Sequence, residues 1–431
     1  MEPAIPVAPE TQQRVAVIGA GIIGVCSALE LQKRGYRVTL LDARDPAAGA
    51  SAGNCGLMAV GAVVPFAKPG TFKKVPGWLL DAKGPLSIRP SYLPTLLPWM
   101  TRFLMAARPS RVKASSLGLA ALTERALGAY EPWLEAAGIR DIIKPQETLV
   151  VYETEADFHQ DRADLEMRRE LGFEHDYVSH DELRTLEPDL ADDFACAVRL
   201  KGWVYFADPA RLVRSLHGLF LEQGGRFVAG RVEGIDHDNG VATSLRVEGQ
   251  EDMTADHVVV AAGAWSRTLA AGLGDAVPLE ALAGYSTTVG DSGVRLRHPI
   301  TYSAGGFVVT PMEGGLRIGG TIEMGGLDHS PDFRRARTIA QQARRLFPGI
   351  ASVEGKEWMG YRPFLPDTLP VIDRASRCQN VVYAFGHGQV GITMGAITGQ
   401  LVAQLVAGEP TDIDLRPYSA RRFLTLSSRR N

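Results

Sequence analysis

One arginine stands where the chain is least free to move. Arg362 sits in Gly360-Tyr361-Arg362-Pro363, with Pro366 and Pro370 close behind. A guanidinium presents a planar fork of donors that matches a carboxylate in a bidentate pair. Glycine before it and proline after it restrict the backbone, so less freedom is lost when a ligand docks. The residues alone leave two readings open: a grip for a ligand's carboxylate, or a structural pair with an internal acid such as Asp367 or Glu357.

Residues 14–44, RVAVIGAGIIGVCSALELQKRGYRVTLLDAR, carry a second chemistry. They predict a β-branched strand over 15–18, the turn Gly19-x-Gly21-x-x-Gly24, and a helix to Arg34 closed by Gly35. A strand over 36–41 follows and ends in Asp42. Gly19 permits the tight turn, Gly21 lets backbone approach a pyrophosphate, and Gly24 lets the helix pack closely on the strands. The helix start adds free N–H groups and the positive end of its dipole. Asp42, eighteen residues after Gly24, can accept from both ribose hydroxyls and disfavours a 2′-phosphate. The order points to a dinucleotide, and a single fingerprint does not separate NAD from FAD. Directly after it, DPAAGASAGNCGLM (45–58) sets small residues, with Ser51, Asn54 and Gly56, against either a flat cofactor or solvent.

Near the other end, VVYAFGHGQVGITMGAITGQLVAQLVAGE (381–409) runs a strand into Gly386-His387-Gly388 and then a helix. That helix N-terminus would stabilise negative charge on whatever meets the strand's end. His387 invites a general-base reading, but a histidine between glycines suits a structural role better, with backbone contributing more than the ring.

These groups must be positioned by a large chain. Its 431 residues suggest two domains, and 45% hydrophobic with 22% charged residues is ordinary for a globular protein. A net charge of −3 argues against nucleic acid as the main partner. Four cysteines, Cys26, Cys55, Cys196 and Cys378, lie far apart without a CxxC or Cys/His cluster, so no metal site is expected and a reducing compartment fits. The first residues lack a signal-peptide pattern, and no apolar run of about eighteen residues predicts a spanning helix. Residues 77–112 mix Trp, Tyr, Leu and Met with Arg and Lys. This pattern suits an interfacial membrane contact or a connector packed on the protein's own core. Residues 115–195 read as charged amphipathic helix, and 284–322 as short strands separated by glycine turns, an antiparallel pattern.

The stretch LLDARDPAAGASAGNCGL resembles the amino-acid-oxidising FAD oxidoreductases of the D-amino-acid oxidase superfamily, in particular bacterial D-amino-acid dehydrogenases of the small-subunit type. Their pattern there is an acidic strand end followed by G-x-S-x-x-N-x-G against the flavin. The resemblance covers nearly the whole chain. It implies an α/β fold: a Rossmann-type FAD-binding domain built from segments 11–76, 196–272 and 356–431. An α+β substrate domain with a mainly antiparallel sheet, 77–195 and 273–355, is threaded through it. For the bound FAD it implies contacts from Gly19, Gly21, Ile22, Ile23 and Gly24, from Asp42, Ala43 and Arg44, and from Ser51, Asn54, Cys55, Gly56 and Leu57. It adds backbone near Val232, the AAGAWS-type turn with Ala262, Gly263 and Trp265, and the G-H-G-x-x-G-x-T run. That run holds Gly386, His387, Gly388, Gln389, Val390, Gly391, Ile392 and Thr393. Cys55 and Cys378 do not stand where a covalent flavin link is expected, so noncovalent FAD is implied.

In the family the G-x-R-P arginine grips the substrate α-carboxylate over the flavin, which assigns Arg362 both substrate and cofactor contact. Tyr285, Tyr302 and Arg317 fall on strands expected to roof the site. One departure stands out. Where many D-amino-acid dehydrogenases read P-L-E-x-x-R-G-Y-H, this chain reads PLEALAGYS (278–286), with Ala283 and Ser286 in place of arginine and histidine. The implied reaction is oxidation of a small amino acid, of D-configuration or a D-proline derivative, by hydride transfer to flavin N5 and hydrolysis of the imine. An N-methyl amino acid such as sarcosine is the second candidate, and a noncatalytic FAD-binding subunit is a reading of another class. Oxygen or a membrane quinone would take the electrons. The expected location is the cytoplasm, with a peripheral inner-membrane contact as the variant reading.

Overall fold

The computed structural model describes residues 12–70, 84 and 86–423. The N-terminal residues and 77–83 of the aromatic-rich segment lie outside them. Two sheets organise the chain. The first has six strands in the order Val371–Arg374, Val381–Phe385, His257–Val260, Arg14–Ile18, Arg37–Asp42 and Arg226–Ala229. All its pairings are parallel except that of Val371–Arg374 with Val381–Phe385. Its inner strands are continuous apolar runs because both faces are covered.

The first helix, Ile22–Lys33, and the last, Gly391–Ala407, pack side by side on this sheet. A Cβ on Gly399 would come within 2.7 Å of the Cys26 carbonyl group, so the small residues of the last helix permit that close approach. Helices Pro109–Thr123 and Ala126–Ala136 join the same core through Leu119, Leu122, Tyr130 and Trp133. The Tyr130 hydroxyl donates to the Ile392 carbonyl at 2.6 Å.

The second sheet has nine strands and is mainly antiparallel. From one edge run Lys356–Phe364, Glu280–Val289, Gly315–Met324, Phe307–Met312 and Ile300–Tyr302, then Thr148–Tyr152, Cys196–Leu200 and His175–Ser179. Leu86–Ile88 lies beside Gly315–Met324. The expected glycine turns are present: a hairpin joins Met312 to Gly315, whose φ is +114°. Helix Arg334–Leu346 buries Ala336, Ile339, Ala340, Ala343 and Leu346, the stripe expected of a helix covering a sheet.

Two expected boundaries shift. Cys196–Leu200 and Lys356–Phe364, read as parts of cofactor-domain segments, pair in the large sheet. Strand partners lie far away in sequence, and composition does not reveal which sheet will recruit a strand.

Candidate active site

A cavity of about 940 Å³ opens between the two sheets. At one end lies the turn after the first strand. Gly19 has φ +112°, and a Cβ on Gly24 would fall 1.8 Å from the Gly19 carbonyl oxygen, so both glycines are sterically required. Gly24 therefore packs the helix and does not line the cavity, whereas Gly19, Gly21, Ile22 and Ile23 do. Ser51 Oγ accepts from the Ile22 N–H at 3.1 Å. Asp42 spends one lone pair of each carboxylate oxygen on backbone, from Ala20 N–H at 2.8 Å and Arg44 N–H at 3.0 Å. Ala43 lines the same end, and the Arg44 guanidinium lies 4.8 Å over the Trp265 ring. Val232, Ala262 and Gly263 complete that wall, and a Cβ on Gly263 would meet nothing within 4 Å.

The loop after Asp42 is pinned from both sides. Asn54 Nδ2 donates to the Ser51 carbonyl and its Oδ1 accepts from Gly56 N–H, both at 2.8 Å. Gly56 takes φ +69°. Arg317 Nη1 donates to the carbonyls of Ala52 and Asn54 at 3.2 and 2.9 Å, and its Nε donates to Thr288 Oγ1 at 3.0 Å. The Ser286 hydroxyl donates to Gly53 O at 3.0 Å. A Cβ on Gly53 would stand 2.0 Å from the Trp358 indole, so only glycine lets the loop lie on that ring. Cys55, Gly56 and Leu57 line the cavity behind it, and burial pushes the Cys55 thiol pKa up.

Arg362 projects from Lys356–Phe364 opposite Leu282. Its guanidinium lies on Gly284, where a Cβ would come within 2.3 Å of Cζ. Nη1 donates to the Thr321 carbonyl at 2.8 Å. A β-bulge supplies that carbonyl: Ala283 faces Glu323 and Tyr285 faces Gly320, so Gly315–Met324 carries an extra residue, and Thr321 sits at φ +57°. Both rival acids are engaged elsewhere, Asp367 with Arg422 and Glu357 with Arg337, each at 2.7 Å. Among the described residues no carboxylate pairs with Arg362. Burial holds its pKa below the ordinary value, with the Cys55 sulfur acting the other way.

At the far end Gly386 and Gly388 take φ +87° and +55°. Helix Gly391–Ala407 has no side-chain cap, and Gln389, Val390, Gly391 and Ile392 bring its uncapped start to the cavity. His387 is 2% exposed, its Nε2 lies 3.0 Å from Thr398 Oγ1, and burial pushes its pKa down to about 3. So weak an acceptor does not suit a general base at neutral pH, which favours the structural reading. Thr393 does not line the cavity. Its Oγ1 accepts from Ala59 N–H at 3.0 Å and donates to Leu57 O at 3.3 Å, tying the helix to the pinned loop.

The roof candidates divide. Tyr285 lines the cavity, but its hydroxyl donates to Glu323 and accepts from Asp332 N–H at 3.0 Å. Tyr302 is a correction. Side chains alternate along a strand, so Thr301 faces the cavity while Tyr302 points into the opposite core, bonded to Glu153 at 2.5 Å. Arg317 likewise serves the loop and not the cavity. Trp358, Tyr361, Phe307 and Val308 line the site without having been singled out in the sequence, along with Arg231 and Glu233. Trp358 and Tyr361 stand within four residues of Arg362, a proximity that could have drawn attention to them.

Two uncapped helix starts and an acid-ended strand converging on one cavity fit a long dinucleotide with a charged middle and an electron-accepting ring. A family model described as FAD dependent oxidoreductase matches residues 14–405. The chain belongs to this family. The flavoprotein is 36% identical over 419 residues to a D-amino-acid oxidase of Bradyrhizobium diazoefficiens, covering 96% of this chain and 99% of the relative. It is 30% identical over 419 residues to a D-amino acid dehydrogenase of Xanthobacter autotrophicus, covering 95% and 99%. Among solved structures, glycine oxidase from Geobacillus kaustophilus superposes with a TM-score of 0.74 at 23% identity, covering 96% of this chain and all of that one, a likeness of fold. As an FAD-dependent oxidoreductase, the protein would hold the dinucleotide at Gly19–Ile23 and Asp42, and the ring system between the 51–57 loop and the start of the last helix. No helix among the described residues is long and apolar enough to cross a membrane.

Proposed function

We propose that this flavoprotein oxidises a small amino acid at its α-carbon–nitrogen bond, the substrate being a D-amino acid or a D-proline derivative. One observation carries the reading: a half-buried guanidinium at the cavity wall, fixed by Gly284 and Thr321, which no carboxylate among the described residues pairs. A substrate carboxylate completes that pair. When bound, FAD supplies the two-electron acceptor that takes hydride from the α-carbon, and water then hydrolyses the released imine. The protein's share is to bind the carboxylate, orient the α-carbon and exclude competing water. N-methyl amino acids such as sarcosine meet the same requirements and form the alternative substrate class. The relatives include one named oxidase and one named dehydrogenase, so oxygen and a membrane quinone both stand as proposed acceptors.

The test is anaerobic mixing of the FAD-loaded protein with D-amino acids, D-proline analogues and sarcosine. Bleaching of the flavin band by at least one is the expected result. Full FAD occupancy without bleaching by any would overturn the reading in favour of a noncatalytic subunit.

A membrane acceptor is favoured by helix Leu93–Ala106. Its inner face packs Leu96 and Trp99 on Leu282 and Phe364, beside Arg362, while Leu97 and Met105 are 52% and 50% exposed. Residues 90–123 hold Arg102, Arg108, Arg111 and Lys113 and no acid, which suits an anionic bilayer. Flotation with phosphatidylglycerol vesicles, but not with neutral ones, is expected. Protein that stays unbound in both sinks this reading.

A further inference from the structure

The 51–57 loop meets the large sheet through three successive carbonyls. Arg317 Nη1 donates to those of Ala52 and Asn54, and the Ser286 hydroxyl donates to that of Gly53 between them. In a trans peptide the N–H points opposite to the C=O. The N–H groups of Gly53, Asn54 and Cys55 therefore point away from these sheet donors, and among the described residues none of them meets an acceptor. Gly53, Asn54 and Cys55 themselves line the cavity. The loop thus turns successive N–H groups from the sheet, an arrangement that favours negative charge, and a cation stands at its carbonyl side.

That cation is not neutralised nearby. An arginine stays protonated even when half-buried, and the third bond of Arg317 goes to the uncharged Thr288 hydroxyl. Burial keeps the neighbouring Cys55 thiol protonated. Asp208, an acid whose field reaches Arg317, is engaged at the head of helix Pro209–Glu222 by the N–H groups of Ala210 and Arg211, both at 2.9 Å. Arg362 differs, since a substrate carboxylate would neutralise it.

We propose that Arg317, beyond fastening the loop, sets the electron affinity of the bound flavin, its charge acting through the 52–54 peptides. The inference rests on the reading that places the ring system against the 51–57 loop. Taking up a hydride adds one negative charge to the ring. A fixed cation in a poorly solvated wall stabilises such a charge far more than one in water, and aligned peptides between them strengthen the effect. Arg317 does not line the cavity, so it is a positioning residue that acts through the loop.

The experiment separates charge from fastening. Thr288→Asp supplies a counter-ion at Arg317 Nε and leaves both bonds to the loop in place, with Thr288→Asn as its neutral control. The readouts on FAD-loaded protein are the flavin midpoint potential, by equilibration with a reference dye, and the affinity of the oxidised flavin for sulfite. Thr288→Asp is expected to weaken sulfite binding roughly tenfold and lower the potential by the same factor, about 30 mV for two electrons, with FAD affinity held. Thr288→Asn should match the unaltered protein. Arg317→Lys should keep the potential while FAD binds less tightly, and Arg317→Gln should lose both. Ser286→Ala loosens the same loop without touching a charge, so FAD affinity should fall and the potential stay. Equal potentials in Thr288→Asp and Thr288→Asn would overturn the inference and leave Arg317 a fastener. So would a fall in Ser286→Ala as large as that in Arg317→Gln. Unchanged FAD affinity in both Arg317→Gln and Ser286→Ala would overturn the placement of the ring, and the inference with it. Neither readout uses an amino acid, so a flavin that no amino acid bleaches is a separate result, and it counts against the turnover reading alone.

Discussion

Arg317 and Arg362 lie on the two strands that flank Glu280–Val289. Neither meets a carboxylate among the described residues, and burial lowers the pKa of both. Their donors, however, go to different destinations. Arg317 bonds the Ala52 and Asn54 carbonyls and Thr288 Oγ1, all within its own chain. Arg362 has a single such bond, to Thr321 O, and the rest of its fork borders the cavity. A half-buried cation satisfied by carbonyls is a structural fastener. One left short of partners at a cavity wall is what the proposed carboxylate grip requires.

Removing each arginine tests that contrast. Arg362→Ala should carry the largest effect. Losing one partner of a desolvated charge pair costs about 2–5 kcal/mol, so kcat/KM should fall by at least about 30-fold while FAD stays bound. Steady-state kinetics with the best substrate, alongside the flavin spectrum, decide it; unchanged kinetics would make Arg362 a second fastener. Arg317→Ala should give the opposite pattern. Its hydrogen bonds from a charged donor are worth about 1.5–3 kcal/mol each at most, and their loss frees the 51–57 loop. FAD affinity should drop roughly tenfold or more, whereas molecules that still hold FAD should bind substrate nearly normally. Equilibrium dialysis of FAD against the variant, followed by substrate titration, separates the two.

The same contrast shows what was legible beforehand. The dinucleotide end is written locally: Gly19 and Gly24 answer steric demands of the turn and helix beside them, as their spacing implies, and Asp42 ends its strand at the cavity. Arg362 was legible as a candidate because its flanking glycine and proline are local too. Its decisive feature, that no acid among the described residues pairs with it, was not, since Arg422 and Arg337 reach Asp367 and Glu357 from elsewhere in the chain. Tyr302 failed for a related reason. Which face of a strand looks inward depends on register, and a shift of one residue exchanges Thr301 for Tyr302. Trp358 became part of the wall only because Gly53, three hundred residues away, lies against its ring.

His387 sharpens the comparison from the other end of the cavity, as a buried group that is neutral where the arginines are charged. Its folded pKa is pushed down to about 3 from an ordinary value of 6.5. A depressed folded pKa contributes stability that is present above the unfolded value and lost as pH falls toward the folded one. Between pH 6.5 and 3 the unfolded chain takes up a proton that the folded chain refuses, at a slope of up to about 1.4 kcal/mol per pH unit. His387→Asn should flatten the acid limb of stability against pH by up to that slope and leave the pH profile of kcat/KM at neutral pH in place. Denaturant melts at several pH values measure the first, and loss of the acid limb of the kcat/KM profile would restore the general-base reading.

The smallest expected effect concerns the bulge that holds Arg362. A β-branched residue at φ +57° is held against its preference, by about 1–2 kcal/mol for an L-residue, and the Thr321 hydroxyl is buried without a partner. Thr321→Gly relieves both, while the extra freedom of glycine in the unfolded chain takes back about 0.5–1 kcal/mol. The net gain should be about 1 kcal/mol, once the lost packing of the threonine methyl is set against the relieved strain and hydroxyl, seen as a thermal midpoint raised by about 1–2 °C. If the bulge serves to aim the Thr321 carbonyl at Nη1, a looser bulge should also weaken carboxylate binding by a few-fold, with FAD affinity unchanged. Stability and affinity would then move in opposite directions, a pattern expected where local strain is retained for a site. A more stable variant with undiminished carboxylate affinity would show that Gly284 alone suffices to place the guanidinium, and that the strain at Thr321 belongs to the sheet.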